Sequence, residues 1–374
     1  MDERALTERL ITYETSALEG IRGAAGFVKG WLEARDIEVM SDTHDGRPVL
    51  AATVGAPAGP TVIFHGHVDV VPGREDQFEP RVEGERLIGR GAYDMKGGLA
   101  AMMCATRDLA AQRDVRVHFL CVSDEESDIV DDTGSDCLIA NGYTGDFAIT
   151  GEPTDLDIGV QAKGVLAMRI MVSGSSAHGS TPWEGDNAVV KAVDIFKQIE
   201  SLPFARESSD LFDRPSINLG RIIGGDALNR VPETCVIDVD VRYLPGQDPE
   251  DIVRTVRELP DVEVSIVFQR RPINVERDNP FVGLLADAAA AATSRPEHIS
   301  VGRHGTSDAV SFMNVGIPAV EFGPVGGGHH GPAEWVSVPS LAQHRRALVE
   351  FAESVPERLA ERGDDGKPKL RRIA

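Results

Sequence analysis

The stretch TVIFHGHVDVVPG, residues 61–73, decides how this chain is read. It opens on a short apolar run of the kind that forms a strand buried on both faces, and polar side chains arrive only at its carboxyl end. His67 and Asp69 stand two apart there, so on an extended backbone both leave on one face. Before it, Ile21, Ala25, Val28 and Leu32 recur at helical spacing, and a second apolar run spans 49–54. After it, residues 99–109 predict a helix opened by Gly97 and Gly98, and residues 115–122 and 147–149 predict further buried strands. Helices alternating with buried strands specify an α/β domain.

From about Gly164 the pattern changes. A strand (166–172), a helix (187–202), two strands, a helix from Pro249 and a last strand (262–268) follow one another. Within this block Cys235, Ile237, Val239, Val241 and Tyr243 alternate with Val236, Asp238, Asp240 and Arg242, the period of a half-exposed antiparallel strand. After about Asn274 the first pattern returns, with a helix from Pro280, a strand at 319–322 and a final helix over 340–359. We therefore expect a larger domain made of residues 1–163 and 275–374, and a small α+β domain, 164–274, inserted in it.

Composition narrows the class. The 374 residues carry 60 acidic against 38 basic side chains, a net charge of −22, and only seven of the basic ones are lysine. So acidic a chain has no electrostatic purchase on nucleic acid. Dense carboxylate with little lysine suggests a halophile-like surface, an ordinary acidic enzyme being the alternative. No apolar run is long enough to span a membrane and MDERALTERLITYE is charged where a signal peptide is apolar, so the expectation is a soluble, cytoplasmic protein. Cys104, Cys121, Cys137 and Cys235 form no CxxC pair and are expected to be free thiols. The last residues, 361–374, are polar and expected to fray.

Four further motifs resemble the first in placing imidazole or carboxylate at the end of an apolar run or just beyond it. GRGAYDMKGG (89–98) holds Asp94 in a glycine-rich turn before a helix, where it is a metal ligand or an N-cap. SDEES (123–127) sets Glu125 beside Glu126; the pair is a solvated loop, or one carboxylate binds metal while its neighbour serves as general base. ITGEPT (149–154) places Glu152 after a buried strand. GGGHHGPAEWV (326–336) presents His329 and His330 after three glycines, which free the backbone to aim an imidazole at a site built from distant segments. Ligands bind at the carboxyl edge of α/β sheets, and five such motifs in succession outweigh the separate structural readings.

In order and spacing these five motifs resemble the di-zinc aminoacylase and desuccinylase family, which includes acetylornithine deacetylase, succinyl-diaminopimelate desuccinylase and glutamate carboxypeptidase. The resemblance covers nearly the whole chain. It implies a zinc-exopeptidase-like catalytic domain, a central mixed sheet flanked by helices, with the inserted domain as lid and dimerisation domain of a homodimer. It implies that Asp94 bridges two zinc ions, one completed by His67 and Glu152, the other by Glu126 and His330, although such ligands also accept cobalt or manganese. His330 is chosen over His329 because the family's ligand precedes a short stretch ending in glutamate, here HGPAE. Glu125 is then the general acid/base, Asp69 the orienter of His67, and His178 in SGSSAHGSTP the lid histidine that supports the oxyanion. Asn229 and Arg242 match positions that hold a substrate carboxylate, though Arg242 could equally pair with Asp238 or Asp240. Gly305 and Thr306 match a substrate-pocket loop, though Thr306 could simply begin the next helix. The implied activity is hydrolysis of the amide in a small N-acyl amino acid, of the desuccinylase or acetylornithine deacetylase type. A dipeptidase or carboxypeptidase is the alternative within the family, and an inactive metal-dependent binding protein the alternative of another class.

Overall fold

The computed structural model describes residues 1–127, 132–293, 295 and 298–364. The expected fraying lies beyond them for residues 365–374, while the final helix itself runs Val338–Asp364. The chain divides into two compact units, Met1–Val160 with Val275–Val301 and Ser307–Ala374, and Gln161–Asn274 with Gly302–Thr306.

In the first unit the strand Thr61–His67 is buried at every residue. It lies parallel to Arg116–Val122 on one side and Phe147–Thr150 on the other, and Phe147–Thr150 is in turn parallel to Ala319–Glu321. An antiparallel hairpin, Val39–His44 with Arg47–Gly55, adds to the free side of Arg116–Val122 and makes the sheet mixed. The parallel strands carry their carboxyl ends to one edge, in register: His67 pairs with Val122 and His65 with Thr150. The helix Gly97–Asp108 is buried along its first ten residues. Gly98 lets it start that deep, since a Cβ there would stand 2.3 Å from the carbonyl oxygen of Gly151, in the loop that carries Glu152.

Sequence patterning does not reveal a second, small sheet. Arg81–Glu83 pairs with Arg86–Ile88, which pairs with Trp335–Ser337, and that strand pairs with Gly326–Gly327. Strands of two or three residues have too short a period to detect. Their pairing sets the segment leading to Asp94 beside the one that follows His330.

The second unit is a four-stranded antiparallel sheet in the order Ser216–Gly224, Thr234–Tyr243, Gly164–Ser173, Val262–Arg270. Thr234–Tyr243 buries every second residue, Cys235 through Tyr243, as its alternation requires. These side chains meet the apolar faces of helices Ala188–Ile199 and Pro249–Arg257 in one core. Both helices start on polar caps: Asn187 accepts from the N–H groups of Val189 and Val190, Asp248 from that of Glu250.

The four cysteines are free. Among the described residues no helix is long and apolar enough to cross a membrane.

Candidate metal centre

Asp94 occupies the middle of a polar cluster at the sheet edge. Its Oδ1 lies 3.2 Å from His67 Nε2, and the same nitrogen is 3.6 Å from Glu152 Oε1. Its Oδ2 lies 2.5 Å from His329 Nε2 and 3.3 Å from His330 Nε2. His330 Nε2 in turn is 2.9 Å from Glu126 Oε1. The carboxylate therefore caps no helix: the turn holds it at φ −119° and ψ 102°, aimed at imidazoles. It does not follow a strand of the large sheet, as His67, Glu125, Glu126 and Glu152 do, but sits between the small sheet and the buried helix, and His329 and His330 likewise follow the small-sheet strand Gly326–Gly327.

Behind His67, Nδ1 is 3.0 Å from the carbonyl oxygen of Asp69 and 3.5 Å from its Oδ1. The other oxygen of Asp69 accepts the backbone N–H of Glu126 at 2.9 Å. One residue thus meets the imidazole, through its backbone carbonyl and at longer range its carboxylate, and its side chain ties down the start of the Glu125–Glu126 pair. His330 stands at φ +57°, a left-handed backbone that costs a residue with a Cβ on the order of 1–2 kcal/mol. Strain of this kind persists where the surroundings enforce it, commonly at functional sites.

The charges fit cations. Three groupings bring donor atoms within 4.8 Å of one another: His67, Asp94 and Glu152; Asp94, His329 and His330; His67, Glu125 and Glu126. Among the described residues the ion pairs of Asp94, Glu126 and Glu152 are with histidines alone. Burial would raise the Asp94 carboxyl, yet hydrogen bonds from His329, His330 and His67 hold it well below the usual range. Burial would lower His67, yet Asp69, Asp94 and Glu152 hold it well above. Hydrogen bonds to Asp94 and Glu126 push His330 up to about 10. Glu125 and Glu152 move the other way: burial, then neighbouring acids (Asp308 and Asp94 for Glu125, Asp94 for Glu152), raise both well above an ordinary glutamate. Acids crowded together at the sheet edge, ion-paired among the described residues with imidazoles, form a donor set that suits a divalent metal ion.

A family model for peptidase family M20/M25/M40 matches residues 63–354. The chain belongs to this family. It is a metal-dependent amide hydrolase. Among curated relatives it is 32% identical to a succinyl-diaminopimelate desuccinylase of Gluconacetobacter diazotrophicus, over 83% of this chain and 84% of that protein. It is 30% identical to a LysW-lysine/LysW-ornithine hydrolase of Saccharolobus solfataricus, over 70% and 72%. Among solved structures, the aminopeptidase PepT of Bacillus cereus superimposes with a TM-score of 0.78 at 22% identity, over 94% of this chain and 98% of that one. An M20 family metallo-carboxypeptidase of Sulfolobus solfataricus gives 0.75 at 19%, over 96% and 100%. At such identities the peptidase structures speak for the fold alone.

The remaining M20 site candidates lie in the second unit. His178 Nδ1 receives the N–H of Ser180 at 3.2 Å and lies 2.7 Å from Ser180 Oγ. A backbone N–H only donates, so Nδ1 is the acceptor and the ring proton sits on Nε2. Asn229 is its neighbour, because the carbonyl oxygen of Asn229 accepts the N–H of Gly179 at 2.7 Å and His178 bridges Arg230. Arg242 pairs through Nε with Asp240 Oδ2 at 3.0 Å, while Asp238 is taken by Arg169 and Arg221. Gly305 and Thr306 belong to the short segment Gly302–Thr306, and the helix after them starts at Ala309, so Thr306 does not begin it. Sequence reasoning missed the direct contact of His329 with Asp94, and it used Glu334 only to mark the end of HGPAE, missing that this glutamate, 1% exposed, meets the Asp94 turn.

Proposed function

We propose that the chain holds two divalent ions, zinc in the first instance, and hydrolyses the amide of a small N-acyl amino acid of the succinyl-diaminopimelate or acetylornithine type. The observation that carries this reading is the division of Asp94. Its Oδ1 faces His67, which adjoins Glu152, and its Oδ2 faces His330, which adjoins Glu126. Each side offers one histidine and one glutamate about a shared aspartate. His330 is preferred to His329 as the ligand because it reaches Glu126 as well as Asp94. A pair of ions bound there supplies an acidified water and a polarised amide carbonyl.

The chain's own residues do the rest. Glu125, next to Glu126 and raised by burial, removes the proton from the attacking water and returns it to the departing amine. Asp69 fixes the His67 ring and the start of the glutamate pair. His178, with its proton on Nε2, offers a hydrogen-bond donor to the developing oxyanion. Asn229, Arg242, Gly305 and Thr306 hold the substrate's far end, Arg242 by charge-assisted hydrogen bonds to a carboxylate. The desuccinylase relative supports an acylated amino acid over a plain dipeptide.

A homodimer through the second unit fits its surface. Ser216–Gly224 is an edge strand with Ile222 and Ile223 40% and 56% exposed, and Val190 on the adjoining helix is 58% exposed. Exposed apolar residues on an unpaired strand edge mark a pairing surface. Four free thiols fit a reducing cytoplasm.

The deciding experiment is product release by zinc-loaded protein from N-succinyl-diaminopimelate, N-acetylornithine and a panel of dipeptides. Preference for an acylated diamino acid is expected; preference for dipeptides overturns the substrate class. Metal binding with turnover of none of them would favour a binding protein.

A further inference from the structure

The turn that bears Asp94 and the loop that bears His330 are joined by a buried pair outside the ligand set. Glu334 Oε1 accepts the backbone N–H groups of Tyr93 and Asp94, each at 3.0 Å. Glu334 Oε2 accepts the N–H of Gly91 and Arg90 Nη1, each at 2.9 Å. The other arm of Arg90 reaches the carbonyl oxygen of His330 at 3.3 Å. The backbone of Glu334 also accepts the N–H of Gly89 at 3.0 Å. Glu334 and Arg90 are 1% and 3% exposed. Gly91 makes the cradle possible: at φ +77° it turns successive N–H groups toward one point, and a Cβ would stand 2.6 Å from Val70.

We propose that Glu334, with Arg90, is a positioning residue that sets the spacing between Asp94 and His330, and so the geometry in which the chain offers them to a metal pair. The inference rests on the di-metal reading above. A buried ion pair is a poor general stabiliser, and apolar residues of the same volume commonly do as well. What they cannot do is accept four hydrogen bonds at once. All four partners of Glu334 are donors, two at each oxygen, so a carboxylate satisfies every one. An amide of the same shape has a single acceptor oxygen and must turn its NH2 toward two donors. The backbone of Asp94 would then lose its anchor, and the Oδ1 and Oδ2 that face the two histidine groups would lose their fixed direction. Partners of metal ligands characteristically change affinity by about 10- to 100-fold when removed.

The substitutions Glu334→Gln and Glu334→Asp separate this role from packing. Gln keeps the volume and loses acceptors; Asp keeps the acceptors on a shorter stem. Affinity for zinc, measured by chelator competition, is expected to fall at least 10-fold in Glu334→Gln and less in Glu334→Asp, with the visible spectrum of the cobalt-loaded protein altered in the same order. Equal affinity in wild type and Glu334→Gln, or a milder effect of Gln than of Asp, overturns the proposal. If Glu334→Gln does not fold, Arg90→Lys takes its place. It keeps a charge beside Glu334 but loses the second arm to His330, and unaltered affinity and cobalt spectrum there overturn the proposal equally. Amide hydrogen exchange at Tyr93 and Asp94 in metal-free protein tests the clamp without any metal, and faster exchange is expected in Glu334→Gln. Wild-type protein that binds no metal pair, with those amides still protected by Glu334, would refute the di-metal reading and leave the clamp standing.

Discussion

His344 offers a measurement of how far this fold depends on keeping a histidine neutral. It lies on the final helix, fully buried, with its ring edge-on to Phe322 at 5.1 Å. Burial pushes its pKa from 6.5 down to about 3. The unfolded chain exposes the imidazole, so below pH 6.5 the unfolded state takes up a proton that the folded state refuses. Stability is therefore full above the unfolded pKa and is lost as pH falls toward the folded one. With those two values the loss is about 2 kcal/mol at pH 5 and about 4 kcal/mol at pH 3, and it tends to about 5 kcal/mol below that. Other groups titrate in this window, including His65 and His118, both pushed by burial to about 4. The comparison must therefore be with His344→Leu, which removes one titration and keeps an apolar side chain of similar size. Urea unfolding of both metal-free proteins at fixed ionic strength, from pH 8 to pH 5, should show wild type losing about 2 kcal/mol more than the variant. Parallel curves would refute the reasoning, because they would mean that the folded protein protonates His344 as easily as the unfolded chain does.

Glu125→Gln should retain its metal while turnover falls by about 100-fold or more, and Glu126→Gln should instead weaken metal binding; the reverse outcome exchanges the two roles. His178→Ala should lose about 100-fold in turnover with metal content unchanged, the scale of a lost oxyanion donor. If His178 serves the neighbouring subunit, mixed dimers with Glu125→Gln protein regain activity. With 60 acidic residues, 38 basic ones and seven lysines, the protein should melt at higher temperature in molar KCl than in dilute buffer, since screening relieves repulsion between carboxylates. A melting temperature that is flat or falls with salt removes the halophile reading.

What the sequence made legible follows from what each element needs. Thr61–His67 is buried throughout and Thr234–Tyr243 on alternate residues, and burial forces composition, so the periods of both could be read directly. The motifs that bear the proposed ligands stood out for a related reason. Imidazoles and carboxylates at or just beyond the ends of apolar runs are costly there without a partner, and their recurrence implied a shared one. Arg242 marks a limit of such reading. A strand-face arginine two residues from an aspartate fits a carboxylate ligand and a local ion pair equally well, and without ligand it makes the pair with Asp240.

The role of Glu334 was out of reach for a different reason. Its partners are backbone N–H groups, which every non-proline residue carries, so nothing in the composition of Gly91–Asp94 announces that an acceptor is required. The strands that bring the segments together, where Trp335 pairs with Ile88, are three residues long, too short to betray a period. The same fact argues for what the glutamate does. Metal ligands must be held to within a few tenths of an ångström, and the Asp94 turn has no regular structure of its own to hold it, since Asp94 and Met95 both leave helical backbone angles. A short sheet that brings in one carboxylate, closed by one arginine, supplies the rigidity that a long strand supplies for His67. Two elements that bear proposed ligands are thus positioned by two different devices, one written in hydrophobic period and the other in hydrogen-bond count.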